Sequence, residues 1–84
     1  MVKLQVYITN NCWSCEESRR IVAEFQPQFP AINMELLDIN VTPRPDNVFA
    51  IPTYVLNGRV IYMGNPRRDQ LKEKLEQELS NQPV

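Results

Sequence analysis

Cys12-Trp13-Ser14-Cys15 is the part of this 84-residue chain whose residue types and spacing could do chemistry. Cysteines three apart can bring their sulfurs together across one turn of chain, so the pair can cycle between dithiol and disulfide. It falls where a strand gives way to a helix. A thiol at a helix N-terminus faces unpaired backbone N–H groups and the positive end of the macrodipole, and both stabilise the thiolate. In thiol–disulfide exchange the outer thiolate attacks a disulfide and the second thiol resolves the mixed disulfide. Attack is assigned to Cys12 and resolution to Cys15. Glu16 and Glu17 oppose the activation, since carboxylates within a turn raise a thiol's pKa, and no Lys, Arg or His adjoins the pair in sequence. The expected depression is modest.

The missing residue types narrow the alternatives. With no histidine, the chain has no imidazole base, no His-containing triad and no zinc site built on His. Two cysteines cannot supply a four-thiolate zinc or iron–sulfur site. No metal ligand and no cofactor is assigned. Nine basic and ten acidic side chains give a net charge of −1, without a run of about five or more like charges, so nucleic acid and anionic membrane are not expected partners. Met1-Val2-Lys3-Leu4-Gln5-Val6 alternates where a secretory leader would turn apolar, and no apolar run approaches membrane-spanning length. A soluble cytoplasmic protein is expected, where a close Cys pair is catalytic or metal-binding rather than structural. Taken alone, the pair leaves three readings open: a redox dithiol, a soft-metal site, or two inert buried side chains. Cys15 suits the last. Cys12 does not, because Asn10-Asn11 and Trp13-Ser14 make its surroundings polar.

The elements that position the pair follow from periodicity. Val2, Leu4, Val6 and Ile8 alternate with Lys3, Gln5, Tyr7 and Thr9, which predicts a strand with one well-buried face. Cys15, Ser18, Ile21, Val22 and Phe25 recur near helical spacing over Ser14 to Phe25, until Pro27 and Pro30 stop the helix. Glu16 is placed to pair with Arg20 one turn on. Met34 to Ile39 reads as a second strand, parallel to the first through a right-handed crossover. Asn40 to Ala50 holds Pro43 and Pro45, leaving room for a helical turn or two around Asp46 to Ala50. Thr53 to Leu56 and Arg59 to Met63 flank Asn57-Gly58, the signature of a type I′ hairpin. Gly64 turns the chain, Asn65 is the expected N-cap and Pro66 the first helical position, and Leu71, Leu75 and Leu79 mark one face of a final helix. The tail, Ser80 to Val84, is expected to fray. The fold class is α/β: a minimal β-α-β-(short α)-β-β-α chain with a four-stranded mixed sheet, as one domain over residues 1–84. Both long helices should cover one sheet face and leave the other thinly covered.

A CxxC between the first strand and helix, together with Ile51-Pro52-Thr53 ahead of a hairpin, resembles the thioredoxin/glutaredoxin superfamily, whose fold is of three-layer type. Val6 to Cys15 is similar to glutaredoxins. Ile51-Pro52-Thr53, Asn57-Gly58, Gly64 and Gln70-Leu71-Lys72 look like the second half of thioredoxin. The chain as a whole resembles the small glutaredoxin-like redoxins that serve ribonucleotide reductase. The resemblance implies a cis bond before Pro52, and substrate binding by Trp13, Ser14, Ile51, Pro52 and Thr53, with the backbone of Ile51 pairing to a substrate chain in a strand-like manner. It implies disulfide-containing proteins as substrates and a monomer that exchanges thiols and disulfides.

The chain departs from both branches. No carboxylate lies in Val2 to Thr9, where thioredoxins keep a buried proton acceptor. Thr9 replaces the basic residue that glutaredoxins carry before the thiols, and Gly64-Asn65-Pro66-Arg67 replaces their anion-holding turn. Glutathione therefore fits poorly, and a reductase of the thioredoxin-reductase type is the expected recycling partner. Two rivals remain: a copper- or zinc-binding module, which the helical C-terminal segment disfavours, and a thioredoxin-fold adaptor without turnover. Tyr7, Tyr54 and Tyr62 read as strand packing, and Arg19, Arg20, Arg67 and Arg68 as solvated helix faces. Trp13 either presents an apolar surface to substrate or packs over the loop to shield the thiols.

Overall fold

The structure, a computed structural model, describes residues 2–10 and 12–81. Strand β1 (Val2–Ile8) leads into helix α1 (Trp13–Phe25), and β2 (Ile32–Asp38) follows. After a long connection come β3 (Thr53–Leu56), β4 (Arg59–Met63) and α2 (Arg68–Ser80). The sheet order is β2-β1-β3-β4, with β1 parallel to β2 and antiparallel to β3. Parallel neighbours need a crossover, and α1 is that crossover.

Alternation in β1 separates the two faces. Val2, Leu4, Val6 and Ile8 join Ile21, Phe25, Tyr54, Leu56, Leu71 and Leu75 in the main core, so both helices lie on one side. Tyr7 points to the other side, where it packs with Val48 and Val55. Among the described residues, that second face is covered by the connection between β2 and β3. The expected short helix there does not form among the described residues. Pro43 and Pro45 deprive the segment of donors, and a single turn, closed by Val48 N–H donating to the Pro45 carbonyl at 3.1 Å, presses Val48 onto the sheet. The third layer is thus a loop rather than a helix.

The hairpin forms at Asn57-Gly58 as expected, with φ of 49° and 84° at the two positions. Its tip is tied down by Asn57 Oδ1 accepting from Lys3 N–H at 2.9 Å, and by Arg59 pairing with Glu78 of α2.

Several boundaries differ from the sequence reading, each for a local reason. α1 begins at Trp13 because the Cys12 sulfur serves as its cap. β2 starts at Ile32 because the Gln26 side chain holds its first residues, donating to the Ile32 carbonyl at 2.9 Å and accepting from Met34 N–H at 3.3 Å. Asn65 is not the N-cap of α2, and Pro66 is not its first position. Arg67 is the N-cap, with Gln70 Oε1 accepting from its backbone N–H at 3.2 Å, and the Asn65 side chain turns away toward α1. Ser80 closes α2, while the rest of the expected frayed tail, beyond 81, lies outside the described residues.

Candidate dithiol site

β1 ends, β3 begins and β4 ends at one edge of the sheet. Tyr7 pairs with Thr53, and Thr53 pairs with Met63. The Cys12–Cys15 turn follows β1, Ile51-Pro52 precedes β3, and Gly64-Asn65 follows β4, so three segments far apart in sequence converge on one end of the molecule. Gly64 N–H donates to the Pro52 carbonyl at 2.7 Å, joining two of them.

Cys12 and Cys15 are disulfide-bonded, with Cα atoms 5.1 Å apart. The two sulfurs occupy different surroundings. Cys12 is half-buried and stands at the N-cap of α1 in an extended conformation, where its Sγ accepts from Cys15 N–H at 3.2 Å. Cys15 is 1% exposed inside the main core, and its Sγ accepts from Thr9 N–H at 3.5 Å. An N-cap sulfur holding a first-turn N–H is placed to keep a thiolate once the disulfide opens.

The other residues expected at the site are distributed around this pair. Trp13 is 91% exposed, so it does not pack over the loop to shield the thiols. Ser14 is exposed. Ile51 is half-buried, the Ile51–Pro52 peptide bond is cis, and Pro52 and Thr53 are buried. The Thr53 hydroxyl donates to the Ala50 carbonyl, which holds the chain entering β3. Phe49 (78% exposed) and Met63 (64%) add apolar surface on the flanking segments.

The charges near the dithiol are arranged differently from the sequence expectation. Glu16 pairs with Arg19 and not with Arg20, because the closest approach is at i+3. Glu17 meets Arg20 at 3.6 Å and, more closely, Arg68 of α2 at 2.7 Å. Arg68 also reaches Glu24 at 3.1 Å. It is therefore a clamp between the two helices and not a free solvated cation. The hydrogen bond from Arg68 holds the Glu17 carboxyl below its ordinary value, and Glu17 and Glu24 hold the Arg68 guanidinium above its own. No basic residue adjoins the thiols in sequence, yet α2 delivers one to the carboxylate that opposes them. Arg67 is bound to Asp69 at 3.2 Å. Asp38, at the end of β2, accepts from Asn40 N–H at 2.8 Å.

Sequence reasoning missed a polar cluster behind the dithiol helix, formed by Ser18, Tyr54 and Asn65. Its signal was Ser18, a hydroxyl on an otherwise apolar helical stripe. Burial holds the Tyr54 phenol above the usual tyrosine range. Among the described residues no group of three or more His, Cys, Asp and Glu gathers to hold a metal ion, and no helix is long and apolar enough to cross a membrane.

A helix-capping disulfide after strand β1, with a cis-proline loop at the same end of the sheet, defines a thioredoxin-fold dithiol protein. A family model described as a thioredoxin domain matches residues 2–76, and the chain belongs to that family. It is 28% identical over 82 residues to a thioredoxin of Methanocaldococcus jannaschii, covering 93% of this chain and 96% of that one. With the protein named probable thioredoxin in Methanothermobacter marburgensis it shares 29% over 83 residues, covering 94% and 98%. Among solved structures, oxidised mitochondrial thioredoxin 3 of Saccharomyces cerevisiae superposes with a TM-score of 0.75 at 18% identity, over 90% of this chain and 77% of that one, a likeness of fold. Family and paired cysteines together make the chain a thiol–disulfide oxidoreductase. Membership implies disulfide-containing protein substrates and recycling by a reductase.

The interhelix clamp has a pH signature. Because Glu17 is depressed in the folded protein, its contribution to stability is complete above the ordinary carboxylate value of 4.5 and is lost as pH falls through the depressed one. Arg68→Gln is expected to melt below wild type at pH 7, with the gap narrowing as pH falls below the ordinary carboxylate value. A gap of constant size across that range, in thermal unfolding followed by circular dichroism, contradicts the assignment.

Proposed function

We propose that the protein is a protein-disulfide reductase in which Cys12 attacks and Cys15 resolves. The observation that carries this is the asymmetry of the two sulfurs: one half-buried at a helix N-cap, the other sealed in the core. The Cys12 thiolate attacks a substrate sulfur, forming a mixed disulfide and expelling the other substrate sulfur as a thiolate. Cys15 then attacks Cys12 Sγ, the second substrate thiol leaves, and the Cys12–Cys15 disulfide remains. Two electrons have passed from protein to substrate.

Trp13, Ser14 and Ile51 form the surface on which the substrate chain lies, while Pro52 and Thr53, both buried, set the course of the backbone beneath it. In support, Trp13 is exposed beside Cys12, and no backbone hydrogen bond engages Ile51 among the described residues. An extended substrate segment can therefore pair with Ile51 by main-chain bonds, which place little demand on its sequence. The protein acts as a monomer, a single thioredoxin-like domain over residues 1–84, carrying electrons in the cytoplasm, where thiols are kept reduced.

A reductase of the thioredoxin-reductase type closes the cycle in preference to glutathione. Glutathione carries two carboxylates and needs placed cations and donors. Arg68 is held by Glu17 and Glu24, Arg67 is held by Asp69, and Pro66 has no N–H to give.

Two experiments test this reading. Cys15→Ser is expected to accumulate mixed disulfides with substrate proteins on non-reducing gels, and Cys12→Ser to accumulate few. The reverse pattern would exchange the two roles. In coupled assays following NADPH, thioredoxin reductase is expected to restore free thiols at least about tenfold faster than millimolar glutathione with glutathione reductase. Faster recovery through glutathione would assign the protein to the glutaredoxin branch of mechanism.

A further inference from the structure

Asn65, in the turn between β4 and α2, holds three partners with one side chain. Its Nδ2 donates to the Ser14 carbonyl at 2.7 Å, while its Oδ1 accepts from the Ser18 hydroxyl at 2.6 Å and from the Tyr54 hydroxyl at 2.8 Å. The Ser14 carbonyl has no proton to offer, so the amide nitrogen must face it, and that sets the orientation of the whole group. Ser18 and Tyr54 are both 0% exposed, and each hydroxyl needs an acceptor inside the protein. Asn65 Oδ1 is within reach of both, and the Ser18 hydroxyl has the Ser14 carbonyl, at 3.2 Å, as a second acceptor. Ser14 belongs to the dithiol turn and directly precedes Cys15, whereas Tyr54 lies in β3, hydrogen-bonded to the central strand opposite Val6.

We infer that Asn65 is a positioning residue for the dithiol, tying the Cys12–Cys15 turn to the sheet and so setting the equilibrium between dithiol and disulfide. The direction follows from chain freedom. In the disulfide form the S–S bond already restrains the turn. In the dithiol form that restraint is gone, and the Asn65–Ser14 bond limits how far the two sulfurs drift apart. Losing it gives new freedom mainly to the dithiol form, lowers the effective concentration of one thiol at the other and makes the disulfide easier to reduce.

This inference rests on the pair being redox-active, and a single equilibrium measurement separates the two claims. Protein dithiol and oxidised dithiothreitol exchange to protein disulfide and reduced dithiothreitol. One S–S bond forms and one breaks, and two electrons and two protons pass to dithiothreitol. Across set ratios of the two dithiothreitol forms, alkylation gel shifts read the equilibrium constant. Asn65→Ala is expected to lower the constant for protein disulfide formation about tenfold, equivalent to about 30 mV. Asn65→Ser, too short to reach both α1 and β3, is expected to shift it in the same direction, and provides the measurement if the alanine variant does not fold. Tyr54→Phe leaves the bond to Ser14 in place and is expected to change the constant less than threefold, whatever it does to melting temperature. An Asn65 variant that melts lower but changes the constant less than twofold overturns the inference, as does a Tyr54→Phe shift equal to that of Asn65→Ala. A wild-type protein that forms no disulfide in this buffer overturns both the inference and the redox reading beneath it.

Discussion

The parallel pairing of β1 with β2 is the constraint from which the rest of the molecule follows. Parallel neighbours cannot be joined by a tight turn, so a helix must start where β1 ends and carry the chain back across one face. The N-terminus of α1, with its unpaired N–H groups, is thereby placed at the end of the sheet's interior. Cys12 caps it and Cys15 sits one turn inside. Antiparallel addition of β3 on the other side of β1 then brings the segment before β3 to the same end, so the dithiol and the Ile51-Pro52 loop lie at one end of the sheet without being near in sequence.

Electrostatics at this junction are settled by a distant element. Glu16 and Glu17 lie in the first turn of α1, where they favour the helix dipole but disfavour a neighbouring thiolate. The second helix answers through Arg68, which binds Glu17 and Glu24 and so secures the two helices to each other. The same turn sends Asn65 inward to Ser14. The segment that leads from β4 into α2 is thus engaged with the protein's own dithiol helix through Asn65 and Arg68.

Much of this was legible in the sequence, and the parts that were not share a cause. Alternation in Val2 to Ile8, the Asn57-Gly58 hairpin and the leucine spacing of the last helix are local signals, and each appears in the structure. The middle segment was read too generously, since Asp46 to Ala50 offers too few residues between prolines and strand for a helix. Asn65 looked like an N-cap because cap preference is also local, yet its side chain is claimed by Ser14, Ser18 and Tyr54, residues 11 to 51 positions away. Arg68 likewise could not be paired with Glu17 from spacing on one helix. Periodicity and capping rules report on neighbours along the chain, whereas side-chain bonds between elements depend on packing that those rules do not contain.

The account stands on one claim, that the strand-to-helix junction makes Cys12 the more accessible, activated thiol and Cys15 the sheltered one. The most direct measurement is the rate at which each thiol of the reduced protein is alkylated by limiting iodoacetamide at neutral pH, read by peptide mass mapping. Cys12 labelled at least about tenfold faster than Cys15 is the result the geometry requires. Equal rates, or Cys15 reacting first, would contradict it.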